Sequence, residues 1–191
     1  MQRFTSENLA ELPYYTCLRG QVAGIDTLTS RTGYTGENGF ELYLSQKYTE
    51  QLLTEGKEFD IRPTGLGARG TLRLEMGYAL YGNDIPQQTT PSETRLGWLV
   101  KWDKGEFIER KSLQRQKAEG VKRKLAGFEM RKRGIPRPGC RLWSGGHPIG
   151  EVTSGNFSPS LDKAIGLGGY IDAESEAIGT PLEVEIRDRR A

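Results

Sequence analysis

The sequence predicts an α+β fold, with mixed helices and strands in its first part and a small antiparallel β-barrel or jelly roll at its end. Three observations carry this expectation. Residues 31–44 read as strand, Gly-rich turn and strand, with Asn38-Gly39 suited to the positive φ of a type I′ turn. Residues 45–80 place Tyr48, Leu52, Leu53, Leu66, Leu72, Met76 and Leu80 at roughly helical spacing. From Lys122 onward, short apolar runs are punctuated by Gly and Pro about every 8 to 12 residues, the rhythm of an all-β module.

Taken in order, Ser6 is placed to cap a short helix that Pro13 stops after Leu12. Val22–Thr32 is a strand candidate leading into the hairpin. After the hairpin turn, Phe40, Leu42 and Leu44 point to one face, and Glu41 and Tyr43 to the other. Ser45 heads a helix ended by Gly56, and Thr64 heads a second one. Residues 81–91 form a long polar connection. Leu96–Trp102 reads as a strand and Phe107–Lys117 as a basic helix ended near Gly120. The strands that follow are Leu125–Met130, Gly134–Gly139, Cys140–Trp143, Ile149–Thr153, Ala164–Tyr170 and Leu182–Arg187.

At 191 residues the chain accommodates one large domain or two small ones. Charged residues make up 27% and mean hydropathy is −0.61, with no apolar run long enough to span a bilayer. The start, Met-Gln-Arg-Phe-Thr-Ser-Glu-Asn, has neither the apolar core of a secretion signal nor the pattern of a transit peptide. Two cysteines, Cys17 and Cys140, are too few for a disulfide scaffold, so a reduced, cytoplasmic chain is the plain reading. With a single histidine, His147, a metal site or a nucleophile–histidine pair is not expected, and Gly145-Gly146-His147-Pro148 reads as a turn. Net charge is +2, but residues 101–141 hold fourteen Lys/Arg against five Asp/Glu, a local excess of nine, leaving −7 elsewhere. Such asymmetry suits either a surface for an acidic partner or a solvated rim. Few aromatics in that stretch are free to stack bases, which disfavours a nucleic-acid partner.

Several side chains invite a chemical reading. Glu41, on a strand beside Tyr43, could accept paired hydrogen bonds from a flat N–H-bearing heterocycle, or could simply face solvent. Arg69 and Arg73 lie four apart on one helix face, as a carboxylate clamp or as surface ion pairs. Thr153, Ser154 and Ser158 lack a base and read as turn residues bonding local backbone.

Four stretches in order carry a family resemblance. They are Arg31-Thr-Gly-Tyr-Thr-Gly-Glu-Asn-Gly-Phe-Glu-Leu42, Gly65-Leu-Gly-Ala-Arg-Gly-Thr-Leu-Arg-Leu-Glu-Met-Gly-Tyr-Ala-Leu-Tyr-Gly-Asn-Asp-Ile85, Val100-Lys-Trp-Asp-Lys-Gly105 and Val152-Thr-Ser-Gly-Asn-Phe-Ser-Pro-Ser-Leu161. Together they resemble the C-terminal half of aminomethyltransferases, the T-protein of the glycine cleavage system. The resemblance implies residues 1–108 as the C-terminal part of a folate-binding α+β region and 109–191 as a C-terminal β-barrel domain. The implied reaction moves a methylene group from the aminomethyl-lipoyl arm of H-protein to tetrahydrofolate and releases ammonia.

By the same resemblance Tyr34 lines the folate pocket, Glu41 binds the pterin's amino and ring N–H groups, and Arg69 is a polar clamp. Gly70 departs from the family's usual Asp. The family's catalytic aspartate belongs to an N-terminal portion, whereas the match begins at Leu9-Ala-Glu-Leu-Pro-Tyr-Tyr15. No catalytic residue is therefore expected in this chain, which alone would be incompetent unless another polypeptide supplies that half. The alternative is a non-catalytic folate-binding or scaffold module, related to iron–sulfur maintenance proteins or folate-linked amine dehydrogenases.

Overall fold

The computed structural model describes residues 1–187 and 189–190. The chain forms two compact units, Met1–Leu72 and the remainder from Arg73 on.

In the first unit, β1 (Cys17–Val22) and β2 (Ile25–Ser30) make a hairpin closed by Ala23-Gly24. Their φ values of 50° and 74° are those of a type I′ turn. β3 (Glu41–Tyr43) pairs with β2, giving an antiparallel sheet of order β1-β2-β3. The predicted strand Val22–Thr32 is thus interrupted, because the chain reverses at residues 23–24. The predicted tight turn at Asn38-Gly39 is corrected too. Residues 31–40 form an irregular loop, and Gly36, at φ 82°, is the loop residue in the left-handed region. The cause lies in Arg31. Its N–H donates to Thr16 O at 3.0 Å, its carbonyl accepts from Tyr15 N–H at 3.1 Å, and its guanidinium donates to Leu12 O at 3.0 Å. These bonds commit Arg31 to residues 12–16 rather than to a close hairpin with β3.

The helix expected over 6–12 is replaced by a 3-10 turn at Gln2–Phe4 and bends beyond it. The Gln2 side chain takes the backbone groups a helix would use, donating to Glu7 O at 2.7 Å and accepting from Leu9 N–H at 2.9 Å. α1 (Thr49–Gly56) follows a 3-10 turn at Gln46–Tyr48, which Ser45 precedes without a side-chain cap bond. α2 (Leu66–Glu75) contains the boundary between the units.

The second unit holds α3 (Arg110–Glu119), ended by Gly120 at φ 82°, and six antiparallel strands. These are β4 (Arg123–Glu129), β5 (Arg141–Ser144), β6 (His147–Ser158), β7 (Lys163–Asp172), β8 (Glu183–Ile186) and β9 (Arg189–Arg190), in sheet order β4-β7-β6-β5-β8-β9. The mixed α+β class and the antiparallel C-terminal module are as expected. Gly145-Gly146, at φ 56° and 84°, forms the turn between β5 and β6, and His147 is the first residue of β6 rather than part of that turn. Ala126, Leu142, Ile149, Val152, Ile171 and Val184 form the main core, and Leu74 packs with Leu125, Ile165 and Leu167 in a second cluster. Gly168 of β7 lets Leu142 cross close over the strand; a Cβ there would lie 2.6 Å from its Cδ1.

Two expected strands are absent. Gly134–Gly139 is irregular, because Pro136 and Pro138 offer no N–H to a ladder. Leu96–Trp102 instead contains a 3-10 turn at Gly97–Leu99, where Leu99 N–H donates to Leu96 O at 3.0 Å and Val100 N–H to Gly97 O at 3.2 Å. Those local bonds consume the groups a strand would present.

Asp84, fully buried, ties this unit together. It accepts from Arg73 Nη1 at 2.7 Å, Leu80 N–H at 2.8 Å, Ser154 Oγ at 2.9 Å and Thr153 Oγ1 at 2.5 Å, while its carbonyl accepts from the Tyr170 hydroxyl at 2.7 Å. Arg73, also buried, donates to Ser154 Oγ at 2.7 Å. Thr153 and Ser154 are therefore strand residues reaching distant side chains, which corrects their reading as turn residues; Ser158, the last residue of β6, bonds local backbone as expected, accepting from Leu161 N–H at 3.0 Å, and also donates to Glu75 at 2.6 Å. Nearby, Glu93 is held below the usual carboxylate range. Burial pushes it up, but hydrogen bonds from Arg123 and from the Thr90 backbone and hydroxyl, with the Arg123 charge, together outweigh that.

Asp84→Ala would leave the Arg73 guanidinium buried without its counter-charge and should cost roughly 3–5 kcal/mol in denaturant unfolding. A loss below about 1 kcal/mol would show the pair is not structural. Because Glu93 has a lowered folded-state pKa, its contribution is complete above the ordinary 4.5 and lost as pH falls through the folded value. Glu93→Gln should accordingly flatten the acid limb of a stability-versus-pH curve; an unchanged limb would refute the assignment.

Candidate functional site

The sheet of the first unit has two different faces. Val22, Ile25, Thr27 and Thr29 are buried on one. The register Cys17↔Ser30↔Glu41, Arg19↔Leu28↔Tyr43 and Gln21↔Asp26 sets the other, so Glu41 and Tyr43 share a face with Arg19. The predicted alternation is observed: Glu41 and Tyr43 are exposed while Leu42 is half-buried.

Glu41 is oriented by hydroxyls. Thr32 Oγ1 donates to Glu41 Oε2 in a short hydrogen bond, and the Tyr43 hydroxyl lies 3.5 Å from the same oxygen. Ser30 Oγ is 2.9 Å from Thr32 Oγ1, which anchors that hydroxyl to β2. Among the described residues, these bonds reach Oε2 only and leave Oε1 able to accept. The threonine was missed in the sequence because its role depends on loop 31–40 folding back on the first residue of β3.

Tyr34 and Arg69 are brought together: the guanidinium carbon lies 4.5 Å from the ring centroid. Glu41 has its own partners, Thr32 and Tyr43. Arg69, on the exposed first part of α2, thus lies against an aromatic ring, and its neighbour Gly70 offers it no acid. A Cβ at Gly70 would meet open space, so the departure relieves no clash. Arg73, four residues on, is no companion to Arg69; it is buried in the Asp84 network.

The basic stretch is partly spent inside the chain. Arg123 pairs with Glu93 and Lys124 with Glu176. Lys117 lies over the Trp102 ring and Arg110 over Phe107, so cations sheathe those aromatics. Exposed Lys122, Arg131, Lys132 and Arg133 hold the charge open to a partner. Both cysteines are free thiols. Among the described residues no group of three or more His, Cys, Asp and Glu is placed to hold a metal, and no helix is long and apolar enough to cross a membrane.

Residues 1–104 match the GCVT N-terminal domain, and residues 123–191 match the glycine cleavage T-protein C-terminal barrel domain. An aminomethyltransferase of Caldanaerobacter subterraneus subsp. tengcongensis is 46% identical over 194 residues, covering 99% of this chain and 52% of the relative. One of Bacteroides fragilis is 48% identical over 197 residues, covering 100% of this chain and 54% of the relative. The crystal structure of glycine cleavage system aminomethyltransferase T from Bartonella henselae superposes with a TM-score of 0.85 at 33% identity, over 96% of this chain and 51% of that one. The chain thus spans about half the length of the relatives it matches. The match of residues 1–104, more than half of the chain, followed by that of residues 123–191, makes this chain a member of the aminomethyltransferase family, the glycine cleavage T-proteins.

Proposed function

We propose that this chain supplies the folate-contacting side of an aminomethyltransferase that moves a methylene group from an aminomethyl-lipoyl arm on H-protein to tetrahydrofolate, with release of ammonia. The observation that carries the reading is the Glu41 carboxylate, held through Oε2 by Thr32 and open at Oε1 on an exposed sheet face. An anchored acceptor of this kind suits the amino and ring N–H donors of a pterin. Tyr34 would line the pocket and Arg69 would bind a polar edge, with its fork presented from the Tyr34 ring. The exposed cations Lys122, Arg131, Lys132 and Arg133 suit an acidic carrier, whose association they would speed. A reduced, cytoplasmic setting suits two free thiols.

In this reading residues 1–108 serve folate binding, residues 109–191 form the barrel domain, and turnover requires the remainder of the family's fold. Proton transfer at the reacting amine calls for a carboxylate other than the one holding the pterin. The non-catalytic folate-binding module is the competing reading, and methylene transfer separates the two.

Glu41→Gln replaces an acceptor by a donor and should weaken tetrahydrofolate binding by roughly 1–3 kcal/mol in calorimetry. Equal affinity would remove Glu41 from the site. Adding the N-terminal half of the Bacteroides fragilis relative to loaded H-protein and tetrahydrofolate should be needed for turnover; full turnover by the chain alone would refute the division of labour. Thr32→Val removes the hydroxyl that orients Glu41 and should lower tetrahydrofolate affinity about tenfold, while Thr32→Ser retains it. Loss of affinity in Thr32→Ser with wild-type affinity in Thr32→Val would show that the methyl group, not the hydroxyl, matters.

A further inference from the structure

The sheet face that presents Glu41 continues into an open groove of about 610 Å³, lined by Arg19, Gln21, Asp26, Leu28 and Tyr43 among others. Tyr43 belongs to both places, since its hydroxyl approaches Glu41 while its ring lines the groove. The row Arg19↔Leu28↔Tyr43 therefore runs across three strands from an aromatic ring, over an aliphatic side chain, to a cation. Arg19 is exposed, and among the described residues it has neither an ion pair nor a hydrogen-bond partner. Asp26, the acid of this lining, accepts from the Gln21 amide at 3.1 Å and is not turned to Arg19 for neutralisation.

Sheet geometry sets the span. Two strand spacings of ~4.8 Å and two residues of ~3.3 Å rise separate the backbone positions of Glu41 and Arg19 by roughly 12 Å. A ligand bridging them needs N–H donors at one end, a flat apolar middle and an anion at the other.

We propose that Arg19 is a specificity-determining residue that binds the glutamate carboxylate of the folate co-substrate, with the aromatic spacer lying on Leu28 and Tyr43. The proposal rests on the folate reading of Glu41 given above. The guanidinium fork matches a carboxylate in two-pronged geometry, and its flexible stem reaches from β1 without disturbing the sheet. Being exposed, the contact is partly screened, so its effect is on ligand choice rather than on folding.

The test compares tetrahydrofolate with tetrahydropteroate, which lacks the glutamate, by calorimetry at low salt. The wild-type chain should prefer tetrahydrofolate by roughly fivefold, the size of a well-aligned exposed charge pair. Arg19→Ala should bring the two affinities together, Arg19→Lys should keep part of the difference, and added salt should shrink it. Glu41→Gln should weaken both ligands alike and keep their ratio. A preference that survives in Arg19→Ala, or no preference in the wild type, overturns the role of Arg19 and leaves the folate site standing. Unchanged binding of both ligands in Glu41→Gln overturns the folate site itself, and failure of the wild type to bind either compound overturns both.

Discussion

A carboxylate with no access to water is the constraint from which the second unit is built. Asp84 is fully buried, so its charge must be met by donors that the fold supplies. It is met by the Arg73 guanidinium, a backbone N–H from Leu80 and the hydroxyls of Thr153 and Ser154. The end of α2, the irregular stretch around residues 80–85 and strand β6 thereby converge on one group. Desolvating two charges is costly, and here, among the described residues, no buried side-chain nitrogen or oxygen is left without a hydrogen-bond partner, which is the condition under which such a pair is tolerated. Tyr170 adds a further tie by donating to the Asp84 carbonyl, and Arg123 lies over the Tyr170 ring.

The first unit follows a different logic. Its sheet has only three strands, one face packed and one wet, as antiparallel sheets permit. The wet face is free to carry chemistry. Glu41 gains its orientation not from burial but from Thr32, itself tied to Ser30 on the neighbouring strand. A short strand with a hydroxyl brace thus fixes the carboxylate without burying it.

Charge in this protein divides between internal and external use. Arg123, Lys124, Arg110 and Lys117 hold acids, carbonyls or aromatic rings of their own chain. Arg131, Lys132 and Arg133, in the loop between β4 and β5, make no comparable commitments among the described residues, whereas Arg137 of the same loop donates to Asn156 Oδ1 at 3.4 Å. A count of basic residues along the sequence overstates the uncommitted charge, because a formal charge says nothing about who neutralises it.

The sequence by itself determined what depends on near neighbours along the chain. The two-residue period of Phe40–Leu44 placed Glu41 and Tyr43 on one side of a strand, Gly120 ended α3, and most of the C-terminal strands followed their apolar runs. The family motifs were equally local, and Tyr34, Glu41 and Arg69 lie within them. Tertiary structure alone decided the partners that no local period specifies. Arg73 and Ser154, 81 residues apart, meet at Asp84; Arg31 pairs with Thr16 and so opens the expected hairpin into a loop; Gln2 holds Glu7 and Leu9 out of a helix. Each of those outcomes is a competition for hydrogen-bonding groups, and the winning donor or acceptor is set by which segments the folded chain brings together. Local periodicity carries no record of that competition, which is why Arg73 looked in sequence like a twin of Arg69 and proved to be part of the core.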